Sequence, residues 1–168
     1  MTSRAPRIAA WLALLVPAFM LGGALISQYV FGLYPCEMCY WQRWPHWVAL
    51  VLGGVAVLSV RRVQGLAVGM ASLAAVAIAI SGLIGGFHAG VEYGWWDGVT
   101  SCASTISAGT TTDDVLNSIM AAPLVRCDTA PWSMFGISLA GYNFLLSLAG
   151  AAAIYLLLRR KKPGIIAE

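Results

Sequence analysis

Four runs of this chain contain no Asp, Glu, Lys or Arg: 8–31, 44–60, 66–87 and 135–158. Each is close to the roughly 20 residues that cross bilayer hydrocarbon as an α-helix. Lipid offers no partner for a bare N–H or C=O, so a run of this kind must satisfy its own backbone, which a helix does. The competing arrangement, four helices buried in a soluble protein, needs a polar shell around them. A chain of 168 residues that is 60% hydrophobic and 10% charged does not have one. The expected fold is an all-α membrane protein, an antiparallel bundle of four transmembrane helices forming one domain over 1–168. Pro17 falls inside the first run and is expected to kink that helix without ending it, because neighbouring helices can take up the freed carbonyl. The same run is too long for the apolar part of a signal peptide, and no small-residue cleavage site follows it, so it is read as a span.

The charges at the ends of the runs set the orientation. Arg4, Arg7, Arg61, Arg62, Arg159, Arg160, Lys161 and Lys162 are eight of the ten cations, and all lie on one side of a four-span chain. Six of the seven acids, Glu37, Glu92, Asp97, Asp113, Asp114 and Asp128, lie on the other. Cations mark the cytoplasmic side, so both termini are expected in the cytoplasm, with a short outer loop over 32–43 and a long one over 88–134. The net charge of +3 is therefore a record of topology. The cations form clusters at the membrane edge and give no extended basic face, which argues against nucleic acid as a partner. Trp41, Trp44, Trp47, Trp95, Trp96 and Trp132 fall at the outer boundaries, where indoles favour the headgroup layer.

The four cysteines, Cys36, Cys39, Cys102 and Cys127, all fall in the two outer loops. An outer compartment is oxidising, which makes them natural disulfide partners. Four cysteines allow three pairings; the spacing favours Cys36 with Cys39 and Cys102 with Cys127, but the sequence does not choose. A Cys-X-X-Cys pair closes a small ring, and strained disulfides of that kind are the redox-active ones. Chemistry is thus expected at Cys36 and Cys39. The pair leads into the second helix, where the positive end of the dipole favours a thiolate, and Arg43 follows Cys39 by one turn on the same face. A c-type haem would need His after the second cysteine, where Tyr40 stands. A zinc site lacks the short second knuckle, so no metal is expected. The plain alternative is a non-catalytic membrane protein whose outer loops are stapled by structural disulfides.

Within the long loop, 112–123 reads as a short amphipathic helix, capped by Thr112, started by Asp113 and Asp114, and ended by Pro123. Val115, Leu116, Ile119 and Met120 give it an apolar face suited to the membrane surface. Gly98, Ser101, Ser104, Ser107 and Gly109 predict a flexible segment around Cys102.

Four spans, Cys36-Glu-Met-Cys39-Tyr-Trp-Gln-Arg43 in the first outer loop, a separated cysteine pair in the second, and Pro131-Trp132-Ser-Met-Phe-Gly136 before the last span together resemble the bacterial disulfide bond formation protein B family. The likeness covers nearly the whole chain. In the related vitamin K epoxide reductase family, Cys-X-X-Cys follows the loop cysteines; here it precedes them.

The resemblance implies a bacterial inner-membrane enzyme that reoxidises a periplasmic thioredoxin-like dithiol oxidase, a DsbA-like partner, and passes the electrons to a membrane quinone, ubiquinone or menaquinone. That route is already known for the family. Carried onto these residues, the partner attacks the Cys102 to Cys127 disulfide at Cys102. The freed Cys127 attacks Cys36, and Cys39 leaves as the thiolate that reduces the quinone. Arg43 is then expected beside the ring, with His88 as the second quinone residue and Glu92 or Tyr93 as alternatives.

Overall fold

The computed structural model describes residues 4–99, 111–113, 116, 120 and 125–159. Four long helices dominate it: α1 (Arg4–Tyr29), α2 (Glu37–Ser59), α3 (Gln64–Glu92) and α4 (Leu139–Arg159). Pro17 and Pro45 both lie inside continuous helices. α1, α3 and α4 are long and apolar enough to cross a membrane. α2 is not in that group, because its first half carries Glu37, Gln42, Arg43 and His46 and so lowers its hydropathy.

The helices run antiparallel to their neighbours, as a few close contacts show. Arg43 near the start of α2 reaches Ala24 and Gln28 near the end of α1, while Gly53 further along α2 meets Ala13 further back in α1. In the same way Gly85 in α3 meets Ala140 in α4, and Gly82 meets Ser147. The end of α1, the start of α2, the end of α3 and the start of α4 therefore share one end of the bundle. All described cysteines lie there.

Small residues make this packing possible, as they do wherever helices associate without a strong hydrophobic drive between them. Ala9, Ala10, Ala13, Ala49, Ala56, Ala67, Ala71 and Ala74 form most of the core, with Ile78 and Ile154. Gly53 has no substitute: a Cβ there would sit 2.4 Å from the Ala13 carbonyl oxygen. Gly82, Gly85 and Gly86 also face a neighbour closely, whereas Gly54 faces open space. Large apolar side chains such as Phe19, Leu58 and Leu83 point outward, as suits lipid contact.

Two boundaries differ from the sequence reading. α2 begins at Glu37, seven residues before the charge-free run, because its N-cap lies at Cys36. α4 begins at Leu139, because 133–138 fold into a hairpin instead of continuing the helix backward to 135. Strands β1 (Ser133–Met134) and β2 (Ile137–Ser138) pair antiparallel around Phe135 and Gly136. Both turn residues have positive φ, 52° and 76°, the geometry of a type I′ turn. Tyr93 fastens the hairpin to α3: its hydroxyl donates to the Gly136 carbonyl and accepts from the Ser138 N–H, each at 3.0 Å.

The loop helix expected over 112–123 lies largely outside the described residues. Thr112, Asp113, Leu116 and Met120 are helical and exposed. The Cys102 segment also lies outside them.

Candidate functional site

Cys36 creates the start of α2. Its backbone is extended (φ −75°, ψ 175°), and its sulfur accepts a hydrogen bond from the Cys39 N–H at 3.3 Å, which satisfies one of the amides left open by a helix start. The same turn brings Cys39 Sγ to 3.1 Å from Cys36 Sγ, with Cys36 donating. That donation stabilises charge on Cys39 and opposes it on Cys36. The Cys39 thiol is held below its ordinary value by the Cys36 hydrogen bond against the cost of burial, with Arg43 assisting. Cys36 is pushed up to about 12 by its hydrogen bond to Cys39 and by burial. In the dithiol state Cys39 is therefore the more readily ionised of the two, as the helix dipole also favours.

Cys127 reaches the pair from the long loop. Its sulfur, Cys36 Sγ and a His88 ring nitrogen all lie within 4.8 Å of one another, and all three residues are buried. Met38, Val91 and Val125 pack around the sulfurs. Two thiols and an imidazole have the chemistry to hold a thiophilic ion. They have equally the arrangement for one sulfur to attack another.

The protonation of His88 follows from groups that can only accept. The Met38 carbonyl accepts from Gln42 Nε2 at 3.2 Å, which fixes the Gln42 amide. The same nitrogen then donates to His88 Nδ1 at 2.8 Å, so a neutral His88 carries its proton on Nε2. Nε2 lies 3.5 Å from Cys36 Sγ and 3.8 Å from Glu92 Oε1. His88 thus offers an N–H to the sulfur that Cys127 approaches.

On its other side the cysteine pair borders a second space. Cys39, Arg43 and His46, at i, i+4 and i+7 on α2, line a cavity of about 220 Å³ together with α1 and α4. Its remaining walls are largely apolar and include Phe19, Leu21, Leu139, Ala140 and Leu146. Arg43 donates to the Gln28 side chain and to the Ala24 carbonyl, and its guanidinium lies over the Tyr40 ring, 5.3 Å from the centroid. These contacts hold a cation at the cavity wall next to Cys39. An apolar cleft with one fixed cation and a thiolate suits a flat, electron-poor ring with polar oxygens.

The expected residues therefore divide between two spaces. Cys39 borders both, and Arg43 lines the apolar cavity. His88, expected at the ring, does not line that cavity; it lies with Cys36, Cys39 and Glu92 around a separate one near Val125 and Arg126. Tyr93 is committed to the hairpin.

Sequence reasoning passed over a buried polar network beneath the pair. Asn143 Nδ2 donates to Gln42 Oε1 at 2.8 Å and to the Ser81 carbonyl at 3.1 Å, while its Oδ1 takes bonds from Ser147 at 2.8 Å and His46 Nε2 at 3.0 Å. Gly85 leaves room for it, since a Cβ there would come within 3.0 Å of Asn143 Nδ2. The spacing was a usable signal: Gln42 with His46, and Asn143 with Ser147, are each four apart, and polar residues within spans are functional by default.

The family model for "Disulfide bond formation protein DsbB" matches residues 6–157. The chain is also 25% identical over 130 residues to "Uncharacterized protein RP370" of Rickettsia prowazekii (strain Madrid E), covering 76% of this chain and 73% of that protein. No solved structure matches. With the family model covering nearly all of it, and with its apolar helices and its clustered cysteines, this chain belongs to the disulfide bond formation protein DsbB family, the membrane proteins that serve disulfide formation.

Proposed function

We propose that this protein is a thiol:quinone oxidoreductase of the bacterial inner membrane. It reoxidises a periplasmic thioredoxin-like, DsbA-like dithiol oxidase through two cysteine pairs. All four long helices span the bilayer in this reading, including the less apolar α2, whose polar start faces the bundle interior. Both termini are cytoplasmic, as the eight clustered cations favour. The observation that carries the proposal is the position of Cys36: its sulfur is clustered with Cys127 on one side and lies 3.1 Å from Cys39 on the other. Cys39 in turn borders the apolar cavity.

The relay runs down this line of sulfurs. The partner's thiolate opens the Cys102 to Cys127 disulfide at Cys102. Cys127, released as a thiolate, attacks Cys36, and Cys39 leaves as the thiolate, which the start of α2 and the charge of Arg43 support. His88 acts on this exchange. Its Nε2–H supports negative charge on Cys36 when that sulfur is in turn displaced. Gln42 holds the ring in the required tautomer.

At the cavity, Cys39 presents its thiolate, Arg43 holds positive charge beside it, and the apolar walls exclude water, which strengthens both effects. A ubiquinone or menaquinone bound there would accept the two electrons and two protons that the partner's dithiol gives up. Arg43 is the residue placed to bind such a ring.

The test is quinone reduction by purified protein in detergent, supplied with a reduced thioredoxin-like dithiol protein and followed by ultraviolet absorbance. Turnover that is lost in Cys39→Ser supports the reading. Full turnover in that variant, or none in a wild-type sample with both disulfides intact, rejects it.

A further inference from the structure

Deep in the same cavity, one turn of α2 below Arg43, His46 is 3% exposed and lines the wall. One of its nitrogens is accounted for. The Ser81 carbonyl can only accept, so Asn143 must turn its NH₂ that way and its Oδ1 toward His46; Nε2 of His46 is then the donor of their 3.0 Å bond. A neutral His46 therefore carries a bare lone pair on Nδ1. That atom is buried and has no hydrogen-bond partner among the described residues. A buried acceptor left unpaired is costly, and where a native protein keeps one it calls for a functional or bound partner.

We infer that His46 is the inner positioning residue of the ring site, its Nδ1 accepting a hydrogen bond from a hydroxyl of the reduced ring, a hydroquinone. The inference rests on the proposed function and adds to it the form of the ligand the cavity prefers. Two protein thiols and a quinone become a disulfide and a hydroquinone: two electrons leave the sulfurs, and the two thiol protons end on the ring oxygens. Before transfer the ring offers only acceptors; afterwards it carries two O–H donors. A fixed acceptor at Nδ1 pairs with the second state alone. Arg43, which can only donate, serves either state. The inner end of the cavity thus discriminates by redox state, favouring the product of electron transfer and drawing the reaction forward.

The probes are trimethylhydroquinone and its 1,4-dimethyl ether, which has the same ring but no O–H. Their binding to the purified protein is read by tryptophan quenching. The wild type is expected to prefer the hydroquinone to the ether about tenfold, the worth of one good buried hydrogen bond. In His46→Leu, which has no acceptor, that ratio should fall toward one, whereas His46→Gln, whose amide offers Nε2–H to Asn143 and Oε1 to the ring, should keep part of it. The thermal midpoint of His46→Gln should stay near wild type and serves as the folded control. An unchanged ratio in His46→Leu overturns the role of His46 while leaving the thiol:quinone reading intact. Failure of both probes to bind wild-type protein overturns the two together. Should His46→Leu not fold, ¹⁵N-histidine labelling of the wild type decides. With only two histidines in the chain, the His46 Nδ1 resonance should shift with hydroquinone and not with the ether, and no shift overturns the inference.

Discussion

Asn143→Ala removes a side chain that joins α2, α3 and α4 beneath the cysteines. Asn143 is 6% exposed and contacts Gln42 Oε1, the Ser81 carbonyl, Ser147 and His46. Its loss strands Gln42 Oε1 in the bundle interior, while Ser81 Oγ keeps its bond to the Gln42 carbonyl and His46 Nε2 keeps only the 3.4 Å contact with Ser147. The stranded oxygen, at about 1 to 3 kcal/mol, sets an upper range. Interhelical hydrogen bonds in membrane bundles average nearer about 0.6 kcal/mol, because the unfolded chain also finds partners. The two bounds bracket a destabilisation of about 2 kcal/mol, roughly 4 to 8 °C in thermal midpoint for a chain of this size. The assay is unfolding in detergent monitored by near-ultraviolet circular dichroism, with Gln42→Ala and the double variant completing a cycle. Since the residues touch, the double variant should fall short of additivity by at least about 0.5 kcal/mol. A midpoint within about 1 °C of wild type, or strict additivity, would refute the network as a structural element.

Two further outcomes follow from the electrostatics of the pair. In reduced protein, alkylation by iodoacetamide should strike Cys39 first. The Cys39 thiolate persists below the pH of an ordinary thiol and disappears as pH falls through its lowered pKa, whereas Cys36 should resist until pH approaches about 12. Equal labelling at pH 8, read by mass spectrometry, would contradict that assignment. His88→Ala should slow displacement of Cys36 from a Cys36 to Cys127 disulfide about tenfold or more in stopped-flow mixing with a small thiol, while the affinity of the Arg43 cavity for a quinone is kept; the opposite pattern would return His88 to the ring.

Much of the architecture was legible because lipid imposes strong rules: charge-free runs of span length have few alternatives, and α1, α3 and α4 follow them closely. The start of α2 was hidden because its first turns are polar and face the interior, so hydropathy sees a loop where capping by Cys36 makes a helix. The hairpin before α4 was hidden because Phe135 and Ile137 read as apolar span residues, and only the positive φ at Phe135 and Gly136 turns the chain. At the site, the local pair Cys36 and Cys39 could be read from spacing. What spacing could not supply was the depth of His88 and His46 relative to that pair. Which side of the sulfurs a histidine faces is decided by the packing of α3 and α4 against α2, through contacts 39 to 101 residues apart in the chain. His46 was passed over for that reason.

Whether Cys36 exchanges between Cys39 and Cys127 can be read from one trapping experiment. Wild-type protein, free of quinone, is mixed with a reduced partner whose second active-site cysteine is serine, quenched with iodoacetamide, and mapped by peptide mass spectrometry. The relay leads to a disulfide joining Cys36 to Cys127, the partner linked to Cys102, and the alkyl group on Cys39. An intact Cys36 to Cys39 disulfide with the alkyl group on Cys127 would contradict it.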